Sequence, residues 1–466
     1  GWILCTEGTV FFTKPQSKEF FEFFQNHRRD KTVVRTGIIS TRKYSEITLD
    51  VDQELQETLA IDDENVGEKL LNQILEASIL RHSTDVHIEP LDAESVVVKC
   101  RVDGSLMPIN LSINISNGFE NSAYKSLANV LLTAADKEPG SFRNPQSGQF
   151  VFSNVSVRME MVPSKIGLEI IPIFVLRILG QKVTLDHLQN LGFSSTDLQT
   201  YQSIARKHPH GLILVSGPTA SGKSTTLYAW MKYISDTFPA RSFYTLEDPV
   251  EKQVRGFRQV EVGKNLTFQT GLRSLLRADP DVIMVGEIRD KETADLGLRA
   301  SMTGHLVLAT LHANSALKSI SRLIEMGLDP VLLADSIICV TAQRMVQKVC
   351  QNCRKEALFG DTADYMLYSK LKHAPAASAY IYEANEEGCD APGCIHGYNG
   401  RHLINEIVRV DSVMQEVIGK KATSAELKHT AQERGQSFLW DDGMRLVADG
   451  ITTIEALEIV LEPLED

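Results

Sequence analysis

Residues 217–225 have the types and the spacing of a phosphate-binding loop. They are Gly217, Pro218, Thr219, Ala220, Ser221, Gly222, Lys223, Ser224 and Thr225. An apolar stretch, LILVS, precedes the loop, and a helix-like stretch, STTLYAWMKYI, overlaps its end. Backbone N–H groups and a helix N-terminus can then converge on phosphate oxygens, while Lys223 adds a mobile positive charge. The loop predicts nucleotide binding, with the Ser224 hydroxyl offered to Mg²⁺.

Two further strand-like stretches end in carboxylates. Glu247 and Asp248 follow RSFYTL, and Glu287 follows VIMVG. The carboxyl ends of parallel strands are where such sheets bind ligands, and phosphoryl transfer needs carboxylates to hold Mg²⁺ and to orient water. Glu247 and Glu287 are the candidates, and the sequence does not divide these two roles between them. Gly286 stands where a Walker-B aspartate is usual, which makes Glu287 the more important candidate. Asp248 fits a cap before a proline turn as well as a functional role.

Two histidines bracket the strand-like stretch HLVLATLH. His305 and His312 are seven positions apart, so they should lie on opposite faces at the two ends of the strand. Only His312 lies at the end where the carboxylates gather. It could sense the γ-phosphate through a hydrogen bond, and a solvated or core histidine is the alternative.

Four of the seven cysteines occur in two pairs. The pairs are Cys350 with Cys353, and Cys389 with Cys394. The first pair has two intervening residues and the second has four, a range in which thiolates can occupy neighbouring corners of a tetrahedron around Zn²⁺. Such a site would be structural, because four protein ligands leave no open position. Free thiols or a redox pair are the alternative, and His396 and His402 are possible substitute ligands.

The pattern of elements must bring these groups together. Residues 186–345 alternate apolar strands with helical stretches, which indicates a parallel sheet with helices on its faces. Residues 59–185 combine the helical EKLLNQILEASILRHS with strand-like runs and predict a compact α+β domain. Residues 346–405 carry the paired cysteines, and helical periodicity returns over 406–466, starting with EIVRVDSVMQEVIGKK. Residues 1–58 read as a partial N-terminal segment or linker.

Composition excludes several classes of protein. The chain has 466 residues, 43% of them apolar and 23% charged, so neither a small stapled scaffold nor a disordered chain fits. The formal net charge of −12 disfavours generic binding to nucleic acid. No apolar run is long enough to span a membrane, and no secretory signal opens the chain. Seven cysteines in so long a chain do not form a disulfide scaffold, which favours a reduced, cytosolic compartment, and Cys5, Cys100 and Cys339 are interpreted as small apolar residues. Gly1 in place of Met suggests a trimmed or replaced N-terminus.

Taken together, the motifs resemble those of a known family. GPTASGKSTTLY, TLEDPVE, LLRADPDVIMVGEIRDKETA and TGHLVLATLHANSA are similar, in order and spacing, to the Walker A, Asp box, Walker B and His box of the type II secretion and type IV pilus assembly ATPases. The resemblance covers about residues 59–466. This chain departs from it in the wider spacing of Cys389 and Cys394, and in Ala220, where the family mostly has glycine.

The resemblance implies a fold and a function. The fold would be α/β, with a RecA-like P-loop core, an N-terminal PAS-like α+β domain, a tetracysteine zinc-binding insertion and a helical C-terminal subdomain. The protein would be a homohexameric, cytoplasmic, Mg²⁺-dependent ATPase, peripheral at the inner membrane through protein partners. It would drive an inner-membrane platform protein, with other components of the machinery, so that pilin subunits are added to a pilus or secretion pseudopilus. The cysteine insertion, which retraction motors lack, favours assembly.

The same resemblance implies residue roles. Glu247, Glu287 and His312 match the Asp-box glutamate, the Walker-B glutamate and the His-box histidine. The N-terminal domain of the family contributes arginines that reach the nucleotide, and the matching positions are Arg101, Arg158 and Arg177.

Two other functions remain open at this point. A nucleic-acid translocase could use the same core, although the net charge and the absence of basic runs oppose it, and no nucleic-acid partner is expected. A nucleotide-gated scaffold without turnover is the second alternative. DNA-stimulated hydrolysis would favour the first, and a phosphate-release assay separates the second from an enzyme.

Overall fold

A computed structural model describes residues 2–4, 9–12, 35–38, 65–92, 94–114, 119, 122–179, 187–250, 252–263, 265–391 and 393–464. The chain divides into two compact units. One comprises Gly1–Lys182 with Asp390–Pro392, and the other comprises Val183–Cys389 with Gly393–Asp466. The domain boundaries predicted near residues 58 and 185 lie outside the described residues, as does Cys5.

Two sheets and two helices make up the described part of the first unit. Its elements are β1 (Trp2–Leu4), β2 (Thr9–Phe12), β3 (Arg35–Ile38), α1 (Val66–Leu80), β4 (Asp85–Pro90), β5 (Ser95–Val102), β6 (Ser105–Asn114), α2 (Ala123–Ala134), β7 (Gln146–Phe152), β8 (Val155–Ile166) and β9 (Glu169–Leu179). The larger sheet is antiparallel with the order β6-β5-β4-β9-β8-β7, and β1-β2-β3 form a separate sheet.

Helical spacing of leucines explains how the first unit acquires a core. Leu70, Ile74 and Leu75 lie on one buried face of α1 and pack in the same cluster as Leu127 and Leu131 of α2. Strands β4 and β5 alternate between buried and partly exposed residues, as a sheet with one covered face should. The helix and strands predicted for this region are confirmed, and α2 is an additional element.

A seven-stranded sheet forms the centre of the second unit. Its strands are β10 (Gly211–Ser216), β11 (Phe243–Glu247), β12 (Arg258–Glu261), β13 (Val282–Val285), β14 (Leu306–Leu311), β15 (Ile337–Val349) and β18 (Tyr398–Arg409). The order is β12-β11-β13-β14-β10-β15-β18, and every neighbouring pair is parallel except β15 with β18. Strands β10, β13 and β14 are buried along their whole length, because helices cover both faces.

Helices precede and connect the parallel strands. They are α3 (Ser195–Lys207), α4 (Lys223–Thr237), α5 (Phe268–Leu275), α6 (Lys291–Met302), α7 (Ala316–Glu325) and α8 (Pro330–Ser336). Polar caps fix where several begin: Asp290 accepts the N–H of Thr293 at the start of α6, and Ser315 accepts that of Lys318 at the start of α7. The start of α4 is different, because its N-cap is Gly222.

The segment after β15 departs partly from the prediction. It contains β16 (Lys355–Leu358), α9 (Tyr365–Tyr368), β17 (Tyr380–Glu383), β18, α10 (Ser412–Gly419), α11 (Ser424–Glu433), α12 (Leu439–Ala448) and α13 (Ile454–Val460). The stretch EIVR, predicted as the start of a helix, is the end of β18, and the helix begins only at Ser412. Pairing with β15 explains the difference, since it buries Val408 opposite Val340 in the core.

The predicted fold class is confirmed: an α/β core with a P-loop, an N-terminal α+β unit, a tetracysteine segment and C-terminal helices. Among the described residues, no helix combines the length and the apolar character needed to cross a bilayer.

Candidate active site

The phosphate-binding loop connects β10 to α4, as the sequence predicted. Gly222 has φ 87°, a conformation that favours glycine. A Cβ on Gly217 would lie 2.4 Å from Ser221 Oγ, so the loop closes too tightly there for any side chain. Ala220 has φ 62°, which costs an L-residue roughly 1 kcal/mol or more and gives a physical reason for the glycine usual at this position.

The loop has the groups that a phosphate would need. Lys223 Nζ donates to the carbonyl oxygens of Gly217 and Pro218 at 2.9 and 2.8 Å, so the cation lies over the loop. Gln343 Nε2 donates to Ser221 O at 2.7 Å and fixes the loop from β15. The buried Ser221 Oγ has no hydrogen-bond partner among the described residues, a donor left over for a ligand.

The two candidate glutamates have different environments. Glu247, at the end of β11, is only 4% exposed. Its Oε1 accepts Thr245 Oγ1 at 2.5 Å and Gln259 Nε2 at 3.1 Å, and its Oε2 accepts the hydroxyl of Tyr228. Three donors from α4, β11 and β12 therefore occupy this carboxylate.

Glu287 lies at the centre of a more open group of charges. Its Oε1 is 3.1 Å from His312 Nε2, and its Oε2 accepts Arg289 Nε at 2.7 Å. Arg289 also donates to Asp248 Oδ2 at 3.2 Å, so Asp248 takes part in the cluster. The hydrogen bond to Glu287 and the charges of both acids raise the pKa of Arg289. The side chain of Glu287 remains 21% exposed.

Glycine before Glu287 has a steric explanation. A Cβ on Gly286 would lie 3.0 Å from Leu246 O and 3.3 Å from the Cα of Glu247. An aspartate at this position would press on the backbone of β11, so Glu287 is the first carboxylate that the strand β13 can present.

The two histidines separate as the sequence predicted. His312 follows β14 and contacts Glu287, whereas His305 precedes β14 and its Nδ1 lies 3.0 Å from Ala300 O. Burial lowers the pKa of His312, and the charge of Lys223 lowers it further against the opposing effect of Glu287. At pH 7, above even the ordinary pKa of 6.5, His312 is therefore mostly neutral, and its Nε2 can donate to the Glu287 carboxylate.

Sequence reasoning did not single out five residues around the site. They are Tyr228, Gln259, Arg289, Gln343 and Arg344. Arg289 lies inside the EIRD stretch and its spacing from Glu287 could have indicated it. The others contact residues distant in sequence, so only the packing of α4 and the register of the sheet reveal them.

The three predicted arginines share one row of the first unit. Asp85 of β4 is directly opposite both Arg101 and Arg177, and Arg177 is opposite Arg158. Directly opposite residues point to the same face of a sheet. Arg177 Nε pairs with Asp85 at 2.9 Å, Arg158 Nε pairs with Glu160 at 3.1 Å, and Arg101 donates to Gly104 O at 2.9 Å.

The four paired cysteines meet beyond the end of β15. Their Sγ atoms all lie within 4.8 Å of one another, and two Sγ–Sγ distances, Cys350 to Cys389 and Cys353 to Cys394, are 3.8 Å. A tetrahedron with Zn–S bonds of about 2.3 Å places its sulfurs roughly 3.8 Å apart, so the cluster has the dimensions of a zinc site. The wider second pair does not prevent this, because Gly388 and Gly393 turn the chain with positive φ.

Neither histidine suggested as a substitute ligand joins the sulfurs. His396 Nδ1 lies 3.1 Å from Glu386 O, and His402 Nδ1 lies 2.8 Å from Leu403 O. Cys100 and Cys339 are buried as small apolar residues, and burial raises the pKa of the Cys339 thiol strongly.

A family profile and known relatives match most of this chain. The profile of the family described as "Type II/IV secretion system protein" matches residues 60–459. The type II secretion system protein E of Pseudomonas aeruginosa is 40% identical over 394 residues, which cover 83% of this chain and 74% of that protein. The type IV pilus assembly ATPase PilB of Thermus thermophilus is 34% identical over 411 residues, which cover 86% of this chain but only 44% of PilB.

Solved structures support the fold. The pilus retraction motor PilT with bound ADP has a TM-score of 0.56 at 22% identity, over 84% of this chain and 96% of PilT. The ATPase DotB of Legionella pneumophila has a TM-score of 0.59 at 17% identity, over 84% of this chain and 95% of DotB. At these identities the similarity concerns architecture alone, and it agrees with the predicted RecA-like core.

Proposed function

Because this chain belongs to the type II/IV secretion system protein family, we propose that it is an assembly ATPase that converts ATP hydrolysis into work on a secretion pseudopilus or type IV pilus. The observation that carries the proposal is the group formed by Glu287, His312 and Arg289 at the carboxyl edge of the sheet, in the same unit as Lys223 and the phosphate-binding loop. This arrangement can hold a triphosphate and direct water at it.

Each group of the loop has a task in binding ATP. Backbone N–H groups of residues 217–225 and the N-terminus of α4 would surround the phosphates, and Lys223 would leave the Gly217 and Pro218 carbonyls for the β- and γ-phosphates. The Ser224 hydroxyl is the side-chain group that would hold Mg²⁺, which supplies positive charge to the transferring phosphoryl group.

We assign the two glutamates different roles. Glu287 would orient the attacking water, since its carboxylate is partly exposed and fixed on both oxygens by His312 and Arg289. The neutral ring of His312 could contact both the γ-phosphate and Glu287, so that the carboxylate responds to whether a γ-phosphate is bound. Glu247, enclosed by three donors, would act by holding the Asp-box turn and its neighbour Asp248 in place.

The remaining assignments follow the family. Arg101, Arg158 and Arg177 would neutralise charge that develops on the transferring phosphoryl group, and the protein would work as a cytoplasmic homohexamer. An inner-membrane platform protein would be its partner, and protein contacts alone would keep it at the membrane. Cys350, Cys353, Cys389 and Cys394 would hold a structural Zn²⁺.

Phosphate release by the purified full chain tests the proposal. We expect Mg²⁺-dependent hydrolysis that Lys223→Ala nearly abolishes, because a backbone dipole cannot replace the lysine charge. Glu287→Gln should bind ATP and fail to hydrolyse it, whereas Glu292→Gln, an exposed acid in the first turn of α6, should behave as the parent. A parent protein that binds ATP without turnover would instead support a scaffold, and strong stimulation by DNA would support a translocase.

A further inference from the structure

The loop that carries His312 is very short. Strand β14 ends at Leu311 and α7 begins at Ala316, so residues 312–315 form the whole connection. The position of the His312 ring against Glu287 therefore depends on how the backbone of these few residues is held. Backbone N–H and C=O groups need partners where water does not reach them, and two of the partners at this partly buried loop are charged side chains.

Arg344 of β15 donates a hydrogen bond to a backbone carbonyl of this loop. Its Nη2 donates to Asn314 O at 2.8 Å and its Nη1 donates to Gln343 O at 3.0 Å. The residue is only 7% exposed, and burial lowers the pKa of its guanidinium. The preceding residue, Gln343, holds the phosphate-binding loop through Ser221 O, so adjacent positions of β15 contact both loops of the site.

Glu406 of β18 accepts a hydrogen bond from a backbone N–H group at the end of the same loop. Its Oε1 accepts the N–H of Ala316, the first residue of α7. Its Oε2 accepts the N–H of Leu439, the first residue of α12, at 3.1 Å. One carboxylate that is 3% exposed thus joins the N-termini of two helices, where the helix dipoles favour negative charge.

The C-terminal segment adds a contact from outside. Glu462 accepts Asn314 Nδ2 at 2.9 Å and Lys318 Nζ at 2.8 Å, and its own carbonyl accepts Trp440 Nε1 at 2.8 Å. The loop after His312 is therefore connected to the C-terminal helices through both Glu406 and Glu462. Burying an arginine and a glutamate costs several kcal/mol for each ion, which is a poor way to gain stability alone.

From these contacts we propose that Arg344 and Glu406 are positioning residues for His312, and that Glu406 couples the His312 loop to the C-terminal helices. The proposal rests on the proposed function, since it assigns His312 to ATP hydrolysis. Arg344 holds Asn314 O and Glu406 holds the N–H of Ala316, so together they fix the loop at two points. A shift of α12 would be transmitted to the ring beside Glu287.

The test compares Glu406→Gln and Arg344→Lys with the parent full chain. Glutamine has one acceptor oxygen where two N–H groups need one each, and lysine lacks the two-pronged geometry of the guanidinium. We expect kcat to fall about tenfold while KM for ATP changes less than about twofold, because the phosphate-binding loop is not touched. Amide hydrogen exchange in residues 313–320 should rise in both variants and remain unchanged in residues 217–225.

Asp411→Asn is the control. Asp411 also accepts the N–H of a helix residue after β18, that of Met414 at 3.1 Å at the start of α10, but it lies outside α12 and makes no hydrogen bond or ion pair with residues 312–316 in the part of the chain that the structure describes. This variant should lose stability, because its ion pair with Arg434 is weakened, and keep kcat. Normal kcat in both Glu406→Gln and Arg344→Lys, or an equal loss in Asp411→Asn, would overturn the proposal. If Glu287→Gln itself hydrolysed ATP normally, the proposed function would fail instead, and hydrogen exchange would still decide whether the two residues hold the loop.

Discussion

Carboxylates with similar positions in neighbouring strands can differ entirely in their partners, as Glu247 and Glu287 do. Glu247 accepts from Tyr228, Thr245 and Gln259 inside the protein, whereas Glu287 keeps an open face and contacts His312 and Arg289. Substitution of the two should therefore have different consequences.

Glu247→Gln should lower both stability and turnover. The amide has one acceptor oxygen for three donors and brings two N–H groups of its own, so buried donors are left unpaired at a cost of about 1–3 kcal/mol. Thermal unfolding should shift down by several degrees, with kcat reduced in parallel. Glu287→Gln should leave the unfolding temperature unchanged, so equal shifts in the two variants would contradict the division of roles.

The buried Glu406 should make stability depend on pH. Burial raises its pKa from an ordinary value of 4.5 to about 7, and Asp441 adds to this, while the N–H groups of Ala316 and Leu439 and the charge of Arg344 oppose it. Between pH 4.5 and pH 7 the folded chain keeps a proton that the unfolded chain has lost. The free energy of unfolding therefore falls as pH rises through this range, by an amount on the order of 3 kcal/mol.

Glu406→Gln isolates this effect, since all other groups titrate in both proteins. The unfolding temperature of the parent, relative to that of the variant, should fall between pH 5 and pH 8. A difference that stays constant with pH would show that Glu406 keeps an ordinary pKa in the fold.

At the scale of elements, the cysteine segment should depend on its metal. Elemental analysis should find about one zinc per chain, and Cys389→Ser should reduce this and destabilise residues 350–397, because the site and its local fold form together. The P-loop core should still bind nucleotide, since its strands do not depend on the cysteines. Cys339→Ser serves as the control, as this cysteine is buried in β15 away from the cluster. Full activity without any metal would contradict the assignment.

Local patterns predicted most of the elements that carry the site. Strand β10, the loop and α4 follow from an apolar run, a glycine spacing and a helical stretch that are contiguous in sequence. Strand β18 was not predicted in this way, because its apolar residues Ile407 and Val408 continue into the apolar residues of α10. Only the pairing with β15 distinguishes a strand from a helix here. The partners of Glu247 on α4 and β12 could not be predicted from local pattern either, because helix packing and the register of the sheet decide which side chains meet.

At the scale of the whole molecule, the row formed by Arg101, Arg177 and Arg158 is the group by which the first unit would take part in catalysis. Arg101→Ala and Arg158→Ala should bind ATP nearly as tightly as the parent and hydrolyse it at least about tenfold more slowly, because they remove charge stabilisation from the transition state alone. Arg143→Ala, an exposed arginine of the same unit outside this row, should be unaffected. Nucleotide affinity and turnover measured on the same preparations check this. Normal turnover in both row variants would leave the P-loop unit as the sole source of catalytic groups.

The antiparallel pairing of β15 with β18 has a consequence for the history of the molecule. Val349 and Tyr398 are opposite one another, and Cys350 donates its N–H to Gly397 O at 2.8 Å, so the long stretch between them leaves and returns at the same place. This stretch is in effect a very long connection within a β-hairpin. Because the entropy of closing a loop rises only slowly with length, such a connection can be lengthened, exchanged or cut back by small changes in the gene. The protein could thus acquire a new surface for recognising its surroundings while its central sheet stayed as it was.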